Sequence, residues 1–235
     1  MNGELLNWAD MLPVAGQYVN MHAHRGAADP GEWVLRSLKS SEYPGKYEAG
    51  SPCSMGIHPW EISSIQTEDA LETLRKAVAG ERLLAVGEVG LDKAIGVPAD
   101  LQQEIFEAQV AIAEEAGLPV IIHAVRTYPE LVGFSKQHHP SVPLIIHGFN
   151  GSRQLAEELV RHGFYLSFGE SLVRSEKTGE SFRALPSDRL FLETDESPLP
   201  VSAIYEAAAA LKGKDVGSIQ QQLVKNALNI FSGGE

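Results

Sequence analysis

Two histidines stand two positions apart in "NMHAHRG", residues 20–26, where a short apolar stretch turns polar. On a strand, residues two apart point to the same face, so His22 and His24 would aim at one point in space. Further groups of the same kind close later apolar runs. His58 ends "CSMGIH" (53–58), Glu88 lies in "LLAVGEVG" (83–90) and His123 ends "LPVIIH" (118–123). His147 ends "PLIIH" (143–147), and Asp195 ends "RLFLETD" (189–195). Neutral imidazoles with carboxylates suit Zn²⁺, Mn²⁺ or Fe²⁺, and a carboxylate with waters holds Mg²⁺. Two such cations, about 3.5–4 Å apart and bridged by a carboxylate, generate hydroxide near neutral pH and clamp a developing negative charge. Glu88, in the middle of the set, is the natural bridge. One histidine at a strand end is more often hydrogen-bonded or at the surface than a ligand. Several histidines and two acids, each at a strand terminus, favour a metal site.

The elements that must position them alternate. "YVNMH" (18–22) and "GFYLSF" (163–168) complete seven clear apolar runs, and "EWVLRSL" (32–38), which alternates weakly, is the eighth strand. Helices fill several gaps. Thr67 reads as an N-cap for a helix with Leu71, Leu74 and Val78 inside, ended by Gly80. Asp100 to Ala116 buries Leu101, Ile105, Ala108 and Ile112 and is closed by Gly117. Ser152 opens a helix ended by Gly163, and Ser218 caps a last one through Leu223, Ala227 and Ile230. Strands alternating with helices predict an α/β fold, a TIM-like (β/α)8 barrel. Between His24 and Ser51 there is hardly room for a full helix on each side of the second strand, so the barrel is abbreviated between strands 1 and 3. Catalytic groups of a barrel sit at the carboxyl ends of its strands, where these residues fall.

The bulk composition fits one soluble domain spanning residues 1–235. The start "MNGELLNWADMLPVAG" lacks the pattern of a signal peptide, and no run approaches the ~18 apolar residues of a membrane span. One cysteine, Cys53, makes no internal disulfide and suits a reducing compartment, so a cytoplasmic protein is expected. The net charge of −12 disfavours tight binding to duplex nucleic acid.

The segments "NMHAH", "SMGIHPW", "AVGEVGLD", "LPVIIH", "LIIHGFNGS" and "LFLETD" resemble, in order, the signature segments of TatD-like metal-dependent hydrolases, and "VKNALNIF" is similar to that family's last helix. The resemblance runs from about residue 18 to 232. It implies an amidohydrolase-type TIM barrel with two divalent ions and a deoxyribonuclease or 3′–5′ exonuclease activity. It implies that His22, His24 and Asp195 hold one metal, His123 and His147 the other, with Glu88 bridging. The chain departs from the family pattern in four places. Asn20 replaces the usual Asp, Trp60 stands where a histidine often follows "GIHP", Arg126 comes three rather than two residues after His123, and Glu196 replaces a small residue.

The expected chemistry is hydrolysis by a bridging hydroxide, with Asp195 taking the proton and Glu88 essential between the ions. Glu193, on the same strand face as Asp195, reads as a positioning group. His58 is expected to touch a substrate oxygen or to be hydrogen-bonded into the barrel top. Arg25, Arg126 and Arg153 lie just past His24, His123 and His147, where they are placed to offer a phosphate positive charge, Arg126 first. Trp60 reads as a packing residue, with base stacking as its other reading. His138, His139 and His162 read as surface residues at the far end of the barrel. The substrate is expected to be DNA ends or a small phosphorylated molecule. A hydrolase of an amide, lactone or small phosphoester, and a metal-binding protein without turnover, are the alternatives.

Overall fold

A computed structural model describes residues 8–47, 50–80 and 83–232. Residues 1–7, part of the N-terminal segment read above, lie outside the described residues. The strands are β1 (Tyr18–Ala23), β2 (Glu32–Lys39), β3 (Cys53–Gly56), β4 (Ala85–Asp92), β5 (Val120–Val125), β6 (Leu144–Ile146), β7 (Tyr165–Phe168) and β8 (Leu190–Leu192). They form one parallel sheet in the order β1 to β8. The sheet comes round on itself where the Asp195 N–H donates to the His22 carbonyl at 2.9 Å and Ala23 bridges Asp195. This is the expected (β/α)8 barrel.

Helices α1 (Thr67–Ala79) and α2 (Ala99–Ala116) flank β4 in the chain, and α3 (Tyr128–His138) and α4 (Arg153–Arg161) flank β6. The short α5 (Ser171–Arg174) and α6 (Glu176–Ala184) follow β7, while α7 (Val201–Lys212) and α8 (Val216–Phe231) follow β8. The abbreviation is as expected: β1 runs to β2 without a helix, and only a 3-10 turn, Ser40–Glu42, follows β2. The outer face of β2 is closed by other means. The Trp33 ring lies 5.7 Å from Phe231 of α8, and its indole N–H donates to the Met11 carbonyl. On α7 the Tyr205 hydroxyl bonds both the N–H and the C=O of Val19, fastening that helix to β1.

Three local expectations are corrected. The cap of α1 is Gln66, not Thr67, and that of α8 is Asp215, whose carboxylate accepts the Ser218 N–H. A carboxylate satisfies orphan helix donors and the positive helix end together, so Asp215 outcompetes Ser218. Leu101 is exposed rather than inside α2. The inner face of that helix instead carries Gln102 and Gln109, both buried. Gln109 bonds the N–H and C=O of Ile57, and Gln102 those of Asp92. These amides replace the sheet ladder just where β3 and β4 end, which holds the tips of both strands in place. Cys53 is buried, and burial pushes its thiol up to about 12.

Candidate metal centre

The strand period sets the inner wall. On β1, Asn20 and His22 share one side, continued by His24 just past the strand end, while Val19, Met21 and Ala23 face the helices. On β4 the same rule puts Glu88, Gly90 and Asp92 inside. The glycines around Glu88 are required by close approach. Gly90, at φ 147°, lies opposite His123 in register, and a Cβ there would sit 2.0 Å from the His123 carbonyl oxygen. Gly87, at φ 154°, would clash with Ile121 in the same way. Only glycine lets β4 press this tightly on β5.

The expected ligand groups meet around Glu88. Its Oε2 lies 3.4 Å from His22 Nε2 and 3.7 Å from His24 Nε2. Asp195 Oδ1 closes that side at 3.7 Å from His22 and 3.4 Å from His24. Glu88 Oε1 lies 2.9 Å from His123 Nδ1, 2.7 Å from His147 Nε2 and 3.2 Å from His58 Nε2. One carboxylate therefore turns each oxygen to a separate group of nitrogens.

Hydrogen bonding sorts which nitrogens can bind a cation. Nε2 of His123 faces Asp92 Oδ2 at 3.2 Å, so its proton belongs there and Nδ1 keeps a lone pair toward Glu88. Nδ1 of His147 lies 3.4 Å from Glu193 Oε1, an ion-pair contact, while its Nε2 turns to Glu88. The reverse holds at His58. Its Nδ1 accepts the Trp60 backbone N–H, which in the neutral ring leaves the proton to Nε2, 3.2 Å from Glu88 Oε1. His58 is thus a donor beside the ligand groups rather than a fit ligand, although it lies within a cluster of metal-binding type with Glu88 and His123. His22 is wholly buried with neither ring nitrogen in a hydrogen bond. An imidazole in that state is costly unless a cation takes its lone pair, so the groups present fit divalent metal.

Electrostatics follow from the same contacts. Burial pushes the Glu88 carboxyl up, but His147, His123 and His22 outweigh it and hold it well below the usual range. Burial disfavours the His147 imidazolium, yet Glu88 and Glu193 raise it well above 6.5. His24 is raised, chiefly by its hydrogen bond to Asp195, and Asp195 stays lowered because His24 and His22 overcome its burial. Asp195 sits at φ 52°, a left-handed conformation that strains a non-glycine residue and aims its side chain at the centre.

Above these groups opens a small cavity of about 130 Å³. His58, Trp60, Lys39 and Glu196 are among its walls. None of the three expected arginines lines it. Arg25 donates to the carbonyls of Ser197 and Leu199, and Arg153 is paired with Glu157 along α4. Arg126, exposed at φ 58°, stands outside. The cation in the cavity wall is Lys39, which sequence reasoning missed. Its one signal was its place at the carboxyl end of β2, the kind of position where the other site residues fall. Asp92 was missed as well, although "GEVGLD" puts it four residues past Glu88 on the same strand face. Trp60 donates its indole N–H to Asp92 Oδ2 at 2.7 Å.

Asn20 has a local explanation. Its Nδ2 donates to Glu32 Oε1 and Thr194 Oγ1, and its Oδ1 accepts the Thr194 N–H. It ties β1 to β2 and to the end of β8, and none of these bonds goes to an imidazole. An aspartate there would face the Glu32 carboxylate without a proton to give. Glu193, fully buried, also accepts the Gly148 N–H at 2.6 Å. His138 and His139 are exposed on the far side, and His162 is half-buried.

Comparison with known proteins agrees with this geometry. The TatD related DNase family matches residues 28–232. The chain is 32% identical over 195 residues to an uncharacterized metal-dependent hydrolase, YabD, of Bacillus subtilis, covering 76% of each chain. It is 30% identical over 226 residues to the 3′-5′ ssDNA/RNA exonuclease TatD of Cronobacter sakazakii, covering 86% of this chain and 84% of that one. The crystal structure of YjjV, a TatD homolog from Escherichia coli, superposes with a TM-score of 0.82 at 24% identity over 92% of this chain and 98% of that one. That likeness bears on the fold.

Proposed function

Because the chain belongs to the TatD related DNase family, we propose that it is a metal-dependent phosphodiesterase that removes nucleotides from single-stranded ends, a 3′–5′ exonuclease working as one catalytic domain. The observation that carries this is Glu88, whose two oxygens face separate sets of nitrogens. His22, His24 and Asp195 would hold one divalent ion and His123 and His147 a second, with Glu88 between them. Magnesium, manganese or zinc, when bound there, polarises the phosphoryl group and acidifies water.

The chain's own side chains do the rest. Asp195, ionised and part-exposed, accepts the proton of the attacking water and returns it to the departing 3′-oxygen. Water forms the new bond to phosphorus as the bond to that oxygen breaks. His58 offers its Nε2 proton to a phosphoryl oxygen, and Lys39 neutralises charge at the cavity wall. Burial of Glu88, His22 and His147 excludes water from the floor.

A second reading keeps the same centre for a small phosphoester or lactone. The net charge of −12 and the modest cavity favour it. No helix among the described residues is long and apolar enough to cross a membrane, and the solitary buried Cys53 supports a reducing, cytoplasmic setting. The deciding experiment combines metal analysis with release of nucleotides from single-stranded DNA, on wild type and Glu88→Ala. Metal-dependent release lost in the variant supports the exonuclease. Turnover confined to small esters moves the assignment to the second reading.

A further inference from the structure

Trp60 is 63% exposed and forms a wall of two cavities at once. On one side lies the metal cavity. On the other is an open groove formed by Ile62, Ile95, Val97, Pro98 and the exposed Leu101. The two share Trp60 as a common wall. No charged side chain lines the groove, although the chain carries a net charge of −12. The indole is also held in place, because its N–H is committed to Asp92. A fixed aromatic face loses little conformational freedom when a planar ring lies on it.

We propose that this groove receives the nucleobase one nucleotide in from the end being cleaved, with Trp60 as its stacking wall. This rests on the exonuclease reading above and names how that site would recognise a single strand. An unpaired strand offers apolar base faces beside each phosphate, and aromatic platforms bind them with little sequence preference. With the terminal phosphodiester over Glu88 and beside Lys39, the next base meets an uncharged apolar surface. The lining of the groove itself carries no carboxylate to repel the neighbouring phosphates.

The test uses fluorescence anisotropy with the magnesium-loaded protein and a short 5′-labelled oligodeoxynucleotide, its terminal linkage a phosphorothioate to slow turnover. Replacing the second base from the 3′ end by an abasic site is expected to weaken binding about tenfold. An abasic site far from that end is expected to change nothing. In Leu101→Glu the intact strand is expected to bind as weakly as the abasic strand does to wild type, with no further loss on removing the base. Ile95→Ser, which carries no charge, is expected to show the same pattern more weakly. If wild type binds and digests the strand with no sensitivity to the second base, the groove assignment is overturned and the exonuclease reading stands. If wild type neither binds nor digests single strands, both fall.

Discussion

Oδ2 of Asp92 meets Nε2 of His123 at 3.2 Å, on the side of the imidazole turned away from Glu88. That contact decides which nitrogen of His123 is available, and the Trp60 indole N–H on the same oxygen holds the carboxylate in position.

Asp92→Asn is therefore expected to weaken metal binding on the His123 side by about 10- to 100-fold while leaving the fold intact. Metal titration by calorimetry, with circular dichroism as the control, measures it. Unchanged affinity would show that Asp92 does not orient the ring. Trp60→Phe, which removes only the indole donor, is expected to act in the same direction and less.

Lys39 and two of the arginines, Arg126 and Arg153, make opposite predictions. Lys39→Ala is expected to raise KM for a phosphodiester substrate about tenfold or more, with Lys39→Arg close to wild type, in line with ~1.5–3 kcal/mol for a hydrogen bond to a charged group. Arg126→Ala and Arg153→Ala are expected to change KM little, because both side chains lie outside the cavity. Steady-state kinetics on the four variants would show the reverse order if the arginines bind the phosphate.

Metal binding is expected to release protons. With His147 raised well above its ordinary value by Glu88 and Glu193, the metal-free protein keeps a proton there to higher pH than a free imidazole does. A ligand imidazole must be neutral, so apparent metal affinity should climb with pH and level off only as pH passes that raised value. The sign for stability is opposite. In the metal-free protein the charged His147 contributes stability below pH 6.5, and that contribution fades as pH rises through its raised value. Calorimetry of metal binding in buffers of different ionisation enthalpy counts the protons. A count of zero at pH 7 would contradict this assignment.

Gly90→Ala should be severely destabilising, by about 3 kcal/mol or more, because the new methyl would overlap the His123 carbonyl and strain the backbone. Gly117→Ala provides the comparison. It is also left-handed, but a Cβ there meets nothing within 4 Å, so its cost is expected near ~1 kcal/mol. Thermal melts of the two variants should differ clearly.

Much of this protein was legible along the chain. Apolar runs ending in His, Glu or Asp marked the strand tips, and the short spacing from His24 to Ser51 foretold the missing helices around β2. The helices α3, α5, α6 and α7 were not singled out. Their apolar faces are interrupted by glycine, serine or runs of alanine, so local periodicity is weak, and packing on the barrel decides them. Gln102 and Gln109 were passed over because a buried amide has no periodic signature. Its partners, the ends of β4 and β3, exist only once the sheet has formed.

Residue type and strand period are properties of neighbours along the chain, so the sequence by itself determined the barrel and the groups that surround its mouth. Only the tertiary structure decided what each group does. The proton position on His123 depends on Asp92, 31 positions away by number, and Nδ1 of His147 is turned to Glu193, 46 away. Likewise Lys39, rather than an arginine next to a ligand, reaches the cavity, because where a long side chain ends is set by the strand beneath it and the charges it meets.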